Sequence, residues 1–306
     1  MEPAVVYRST GSWYTVKYQD QWIECRIKGR LRLKGIKSTN PVAVGDRVLI
    51  DLENKAEGII KEVLPRDNYI IRKSVNLAKQ THIIAANIDQ VFLLITLNNP
   101  PTFPAFIDRF LVTAAAYQIP AVLVFNKLDT YDTTERKTLA ELKSLYETIG
   151  YTCFEISAKT QAGVRDVQQL MRNKVSMFSG HSGVGKSTLI NAIAPDLNLK
   201  TAAISEQHQQ GQHTTTFAEM FDLPKACRII DTPGIKGFGV VDMAPEEIGH
   251  YFVEFRELRT SCKFHNCLHQ HEPKCAVKEA VDRGEISPSR YRSYLQLLEE
   301  EESPYR

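Results

Sequence analysis

The chain has 306 residues, enough for two or three domains rather than one small core. Its 38 basic and 36 acidic residues nearly balance, so total charge singles out no nucleic-acid or acidic partner. No run approaches the roughly 18 to 20 uninterrupted apolar residues that a membrane span needs, which excludes a membrane partner of that kind.

In chain order, the opening MEPAVVYRST lacks the charged and then apolar run of a secretory signal. Residues 1–72 follow with short β-rich runs (SWYTVKY, WIECRIKGRLRL, DRVLIDL, EGIIKEVL) separated by glycines and Pro41. Such runs predict a small all-β barrel. This segment also holds the positive surplus, 13 basic against 9 acidic residues. Residues 73–241 change character: DQVFLLITL, PAVLVFNK, YTCFEIS and VSMF are apolar strands, and AFIDRFLVTAAAYQ, ERKTLAELKSLYETIG and KSTLINAIA read as helices between them. That alternation predicts βαβ units and a parallel sheet covered on both faces. Residues 242–306 read as helical, with 9 basic and 13 acidic residues. Pro245 opens a helix there with Ile248, Tyr251, Phe252, Phe255 and Leu258 on one face. A last helix begins at Ser287 and Pro288, with Tyr291, Tyr294, Leu295 and Leu298 as its apolar side.

Gly180-His181-Ser182-Gly183-Val184-Gly185-Lys186-Ser187 fits the phosphate-loop pattern, follows a strand, and leads through Thr188 into a helix. Glycines let backbone N–H groups turn toward phosphate oxygens, and the helix N-terminus adds a favourable dipole. Lys186 would reach the β- and γ-phosphates, and Ser187 would ligate Mg²⁺. The motif alone leaves ATP and GTP equally open. Asn126-Lys127-Leu128-Asp129, at a strand end, favours guanine: an Asp carboxylate can accept from both N1–H and the 2-amino group, a donor pair that adenine lacks. Asn126 would meet the other edge of the base and Lys127 would pack along it. Ser157-Ala158-Lys159 stands where a second base loop belongs. Asp231-Thr-Pro-Gly234 places Asp231 to hold Mg²⁺ through water and the Gly234 N–H at the γ-phosphate. All of these lie at strand ends, where open α/β sheets bind ligands.

The order of the motifs is permuted, with both base loops ahead of the phosphate loop. The nucleotide-sensing Asp231–Gly234 turn is therefore followed directly by the C-terminal segment. The polar stretch between the phosphate loop and Asp231 reads as a first switch. Thr215 is its expected Mg²⁺ ligand, with Thr214 and Thr216 as alternatives. Ile235 follows Gly234 where many GTPases carry the glutamine that orients water, so His213 is a candidate for that task.

The permuted order, the GQHTTT switch and the flanking segments resemble the circularly permuted small-ribosomal-subunit biogenesis GTPases, the RsgA (YjeQ/YloQ) family. THIIAANIDQ at 81–90 is similar to that family's interdomain segment, and the resemblance covers essentially the whole chain. The family commonly has a basic residue where Gln212 stands. The resemblance implies an OB-fold ahead of the G domain, binding to the immature small subunit and its rRNA, and GTP hydrolysis to GDP during late maturation. It also matches His213 to a histidine suspected of a catalytic role.

Cys25, Cys153 and Cys227 are scattered, but Cys262, Cys267, His269 and Cys275 fall within one short segment. Three thiolates and an imidazole suit one structural Zn²⁺ in a reducing compartment, with His265 and His271 as competing ligands by proximity. The family resemblance matches the first four to its zinc motif. Arg26, Lys28, Arg30, Arg32 and Lys34 occupy alternate positions, which in a strand sets five charges on one face as a phosphate-backbone reader. Trp13, Tyr14 and Trp22 are candidate stacking residues.

The expected fold is therefore a circularly permuted α/β P-loop GTPase domain at 73–241. An N-terminal all-β OB-fold barrel at 1–72 and a C-terminal α-helical zinc-binding domain at 242–306 flank it. The chain is expected to act as a cytoplasmic monomer on the small ribosomal subunit. Two other readings stay open: an RNA-binding module with GTP as a structural ligand, and a P-loop kinase. GTP turnover unresponsive to ribosomal particles would favour the first, and a preference for ATP the second.

Overall fold

Alternation of buried and exposed residues builds the front of the chain. In the computed structural model, which describes residues 1–27, 41–73, 81–195, 218–231 and 243–302, the first strands are β1 (Glu2–Ser9), β2 (Tyr14–Tyr18), β3 (Gln21–Ile27), β4 (Arg47–Leu52) and β5 (Glu57–Val63). Strand β1 pairs antiparallel with both β2 and β4, β3 runs parallel to β5, and β5 pairs with β4. The five strands thus close on themselves into an OB-like barrel. Val6, Tyr14, Val16, Ile23, Cys25, Val48, Ile50 and Ile60 fill it. Gln19 and Asp20, between β2 and β3, have φ of 45° and 62°. Two positive φ values in a two-residue loop give the mirror-image turn whose twist suits a hairpin. Strand β1 was not anticipated, because a register shift between Val6 and Arg8 interrupts its alternation. Lys28, Arg30, Arg32 and Lys34 lie outside the described residues.

Beside the barrel, Arg66 and Asp46 form a buried pair. Arg66 Nε donates to Asp46 Oδ1 at 2.6 Å and Arg66 Nη2 to Oδ2 at 2.7 Å, while the Ala43 N–H adds a third bond at 2.8 Å. Bidentate geometry and full hydrogen bonding are what make a buried pair tolerable. Strands β6 (Tyr69–Lys73) and β7 (Thr81–Ala86) form a separate antiparallel ribbon. The ribbon approaches Gly45, whose φ is 89° and where any side chain would overlap the Ala86 carbonyl.

The chain divides into two compact units: Met1–Phe92 with Gln161–Phe178 and Lys186–Lys236, and Leu93–Thr160 with Ser179–Gly185 and Gly237–Arg306. In the first, β11 (Val175–Ser179) lies parallel to β13 (Cys227–Asp231), and β12 (Glu219–Leu223) pairs antiparallel with β13. Helices α3 (Val164–Met171) and α4 (Lys186–Ile193) belong to this unit. Strand β12 also meets β1 at Arg8 and Glu219, so barrel and α/β layer share a strand seam. The Tyr7 hydroxyl and the Lys17 ammonium both donate to Asp222 across it, each at 2.7 Å.

The second unit receives the end of the fully buried β8 (Gln90–Ile95) and sets β9 (Ala121–Phe125) parallel to β10 (Thr152–Glu155). Helix α1 (Pro104–Ala116) starts on a proline. Helix α2 (Thr133–Ile149) has a capping box from Asp132 and Glu135 and ends on Gly150 at φ 108°. Proline in the first turn, reciprocal capping at the start and a left-handed glycine at the end are local devices that fix where a helix begins and stops.

The C-terminal part differs from expectation in one respect. Instead of a helix running from Pro245 past Leu258, α5 spans only Pro245–Ile248, and 3₁₀ turns follow at Val253–Phe255 and Leu258–Ser261. Gly249 ends α5, and the three-residue step from Phe252 to Phe255 suits a 3₁₀ turn, where such positions eclipse. Those rings stack at 5.0 Å. Helices α6 (Ala276–Asp282) and α7 (Pro288–Glu302) complete the unit. Ile248, Phe252, Phe255, Cys267, Val277, Tyr294 and Leu298 share one core with Val112 of α1. Among the described residues no helix is long and apolar enough to cross a membrane.

Candidate functional site

Two loops of the second unit converge on Asn126, at the end of β9. Its amide Nδ2 donates to the Val184 carbonyl at 2.8 Å, and its Oδ1 accepts from the Ala158 N–H at 3.0 Å. One buried side chain therefore ties the Asn126–Asp129 loop to the phosphate loop and to the Ser157–Lys159 loop. That structural task accompanies the base contact expected of Asn126. The Tyr131 hydroxyl donates to the Asn126 carbonyl and accepts from the Leu97 N–H. The same group also tethers the segment after β8.

Asp129 receives the Ser157 hydroxyl at 2.6 Å, and Ser157 Oγ accepts from the Thr160 N–H at 3.1 Å. The Ser157 bond, aided by Lys159 and Lys127, holds the Asp129 carboxyl below the usual carboxylate range despite partial desolvation. A carboxylate offers about four acceptor positions, so one hydroxyl leaves it able to take the two donors of a guanine edge. Lys127 adopts a left-handed backbone, φ 68°, and its ammonium donates to the Asn99 carbonyl. Asn98, in turn, donates to Glu135 at 2.8 Å. This Asn98–Asn99 loop was not anticipated. Its signal in the sequence is the Asn-Asn-Pro-Pro turn after a buried strand, where a parallel sheet binds ligands.

The phosphate loop leaves β11 with positive φ at Gly180, Gly183 and Gly185. At Gly185, φ 97°, a side chain would overlap the Asn126 amide, so the spacing between loop and base segment requires glycine. The ring of His181 packs on Phe106 of α1 at 4.0 Å. In the first unit, Lys186, Ser187 and Thr188 open α4, and Asp231 ends β13. Burial lowers the pKa of Lys186 while the Asp231 carboxylate opposes the shift. Thr188 thus lies in the first turn of α4, as the motif requires. His213, Thr214, Thr215, Thr216, Gly234 and Ile235 lie outside the described residues.

The C-terminal part brings together Cys262, Cys267, His269 and Cys275, whose ligand atoms all lie within 4.8 Å of one another. His269 Nδ1 is 3.2 Å from Cys275 Sγ and 3.6 Å from Cys262 Sγ, and the Cys262 and Cys275 sulfurs are 3.9 Å apart. A tetrahedral zinc with its usual bond lengths needs ligand separations of about 3.3–3.8 Å; these three pairs lie close to that range, and the whole set, within 4.8 Å, needs only a small contraction to close on one ion. Burial pushes the His269 pKa down to about 4, which keeps the neutral imidazole that binds metals. Burial also pushes Cys267 up to about 12, a penalty on the thiolate that a divalent cation reverses. His265 and His271 are not members of the cluster.

Comparison with known proteins agrees with this geometry. The RsgA GTPase family model matches residues 63–241, and the RsgA N-terminal domain model matches 5–60. The small ribosomal subunit biogenesis GTPase RsgA of Christiangramia forsetii is 66% identical over 305 residues, covering 98% of this chain and 97% of the relative. Its namesake in Flavobacterium psychrophilum is 59% identical, covering 99% and 94%. Among solved structures, YjeQ from Thermotoga maritima superposes with a TM-score of 0.80 at 34% identity, over 98% of each chain. YloQ, a circularly permuted GTPase, gives 0.76 at 31%, over 100% of this chain and 97% of its own. With base loops preceding the phosphate loop, a barrel in front and relatives matched along nearly their full length, the chain is a GTP-hydrolysing enzyme and belongs to the RsgA family of circularly permuted GTPases.

Proposed function

We propose that this GTPase binds the small ribosomal subunit through its rRNA, hydrolyses GTP during late maturation, and lets go of the particle when the γ-phosphate is lost. The observation that carries this reading is the pair of relatives named for small-subunit biogenesis, 66% and 59% identical along nearly the whole chain.

In this reading Asp129 accepts the N1–H and 2-amino hydrogens of guanine, Asn126 and Lys127 frame the base, and Ser157–Lys159 close over it. Gly180–Thr188 cradle the phosphates with backbone N–H groups, and the Lys186 ammonium balances charge that builds on the β- and γ-oxygens. Ser187 and Thr215, with Asp231 through water, would hold Mg²⁺, which supplies further charge neutralisation on the phosphates. His213 orients the attacking water in place of the glutamine that Ile235 replaces, and the Gly234 N–H senses the γ-phosphate. Cys262, Cys267, His269 and Cys275 hold one structural Zn²⁺. Four protein ligands leave no open position for catalysis. The working division is a barrel at 1–72, the GTPase domain at 73–241 and a zinc-binding domain at 242–306, acting as a monomer.

Cosedimentation with ribosomal particles tests the reading. The chain pellets with small subunits in a non-hydrolysable GTP analogue, stays in the supernatant with GDP, and ignores large subunits. Equal pelleting with both nucleotides contradicts nucleotide-gated release. No pelleting with small subunits contradicts the partner.

A further inference from the structure

A loop built on glycine has few side chains with which to hold its place. Within Ser179–Gly185, Gly180, Gly183 and Gly185 take positive φ and offer nothing to pack, so the phosphate loop is fixed through its other residues. Val184 is one anchor, buried and with its carbonyl bonded by Asn126. His181 is a second: its ring lies against Phe106 of α1, with centroids 4.0 Å apart and planes at 31°.

The position of that second anchor depends on α1, whose own start lacks a side-chain brace. Phe103 at its N-cap makes no side-chain cap bond, and the first turn carries no acidic residue. The brace comes from farther along, at the fully buried Asp108. Its Oδ1 accepts from the Tyr146 hydroxyl of α2 at 2.8 Å and from Arg290 Nη1 of α7 at 2.6 Å. Arg290 turns its other donors to Glu254, Nε to Oε1 at 2.7 Å and Nη2 to Oε2 at 2.9 Å, and its guanidinium lies 4.6 Å from the Phe252 ring centroid. One buried cation therefore joins α1, α2, α7 and the turn at Val253–Phe255.

Phe106 and Asp108 are two positions apart, about 200° around a helix of 3.6 residues per turn, so they leave α1 on nearly opposite sides. One side meets the phosphate loop and the other meets the C-terminal helices. Packed apolar side chains would hold these helices together as well or better, because desolvation offsets most of what a buried ion pair gains. A planar guanidinium between two carboxylates adds direction, since its donors are satisfied at only one rotation and height of α1. A loop whose backbone N–H groups must meet phosphate oxygens needs that definition. A misplacement of about 1 Å can lower the rate at such a site on the order of a hundredfold.

We propose that Phe106 and Arg290 are positioning residues for nucleotide binding. Phe106 sets the phosphate loop through His181, and Arg290, through Asp108, sets the helix that carries Phe106. The C-terminal helices thereby act on the nucleotide site by way of α1. This rests on the reading of Gly180–Thr188 as the phosphate cradle.

The full chain is titrated with a fluorescent GDP analogue in wild-type and variant forms, with folding checked by circular dichroism. Phe106→Ala is expected to weaken binding about three- to tenfold, the range for losing one aromatic pair, and Phe106→Tyr to restore it. Arg290→Met removes the charge, keeps an apolar stem and weakens binding by a similar factor. In a His181→Ala chain, Arg290→Met produces no further loss, because the path to the loop is already cut. The preference for GDP over IDP, which the Asn126–Asp129 loop sets, stays unchanged throughout. Should Arg290→Met fail to fold, Asp108→Asn, which leaves Arg290 its pair with Glu254, carries the same prediction. Unchanged GDP affinity in Phe106→Ala overturns the proposal. So does an equal loss from the α7 or α1 change with and without His181, and so does a parallel loss of the GDP preference, which would mark general loosening. Lys186→Ala separates this failure from that of the underlying reading. If it abolishes GDP binding while Phe106→Ala does nothing, the positioning role fails and the phosphate cradle stands. If it binds GDP as wild type does, the cradle fails and takes the proposal with it.

Discussion

Asn126 and Val184 are 58 positions apart in sequence, yet the Asn126 amide donates to the Val184 carbonyl at 2.8 Å and so joins the Asn126–Asp129 loop to the phosphate loop. The same side chain accepts the Ala158 N–H. The loop proposed to read guanine and the phosphate loop are thus set against each other by one buried residue.

Asn126→Ala removes both bonds, each worth about 0.5–1.5 kcal/mol net, and leaves a buried carbonyl and N–H unpaired. GDP affinity, read with a fluorescent analogue, is expected to fall tenfold or more in a chain that still folds. Unchanged affinity would show that the loops hold their places without Asn126.

Among the described residues, Arg290 of α7 is the largest fully buried side chain. Its Nη1 meets Asp108 of α1 at 2.6 Å and its Nε meets Glu254 at 2.7 Å, while the Tyr146 hydroxyl donates to Asp108 at 2.8 Å. Both carboxylates hold the guanidinium charged against burial. Arg290→Ala strands them, and breaking a buried pair this way costs about 3–5 kcal/mol. Urea unfolding measures it. A loss below about 1 kcal/mol would mean that the network relaxes without its cation.

Asp222 links β12 to the barrel. Burial raises its pKa, but the Lys17 and Tyr7 bonds outweigh that and hold it below the ordinary value. A carboxyl depressed in the folded state stabilises above its unfolded pKa, about 3.9, and loses that contribution as pH falls through the folded value. Asp222→Asn should therefore melt earlier than wild type at pH 7, with the gap closing below about pH 4. A gap independent of pH would remove the charge from the explanation.

Removing the metal should undo the C-terminal core, because Cys267 and Cys275 belong to it together with Phe255 and Tyr294. One zinc per chain is expected by atomic emission, and none after Cys262→Ser or exhaustive chelation, with loss of near-ultraviolet tyrosine signal. Full metal content in Cys262→Ser would displace Cys262 from the ligand set.

The strand-end loops of the candidate nucleotide site could be located in the sequence because each motif is local, whereas His213 and Thr215 lie outside the described residues. Gly180–Ser187, Asn126–Asp129 and Ser157–Lys159 carry their backbone requirements within a few residues, and the four candidate metal ligands crowd one segment. What escaped was long-range. Arg290 reads as the polar side of a surface helix because its partner Asp108 lies 182 positions away. Tyr7 meets Asp222 across 215 positions, so the seam joining barrel and α/β layer leaves no periodic trace. Strand β12 was hidden in the polar stretch before it, and the turn at Phe252 imitated a helix because helical and 3₁₀ spacings share the three-residue step.

The most direct test is GTP hydrolysis by the purified chain, alone and with small or large ribosomal subunits. Slow intrinsic turnover, raised at least about tenfold by small subunits and unmoved by large ones, is the expected result. Tight GTP binding with turnover indifferent to small subunits would contradict the ribosomal role while leaving the GTPase fold and its nucleotide site in place.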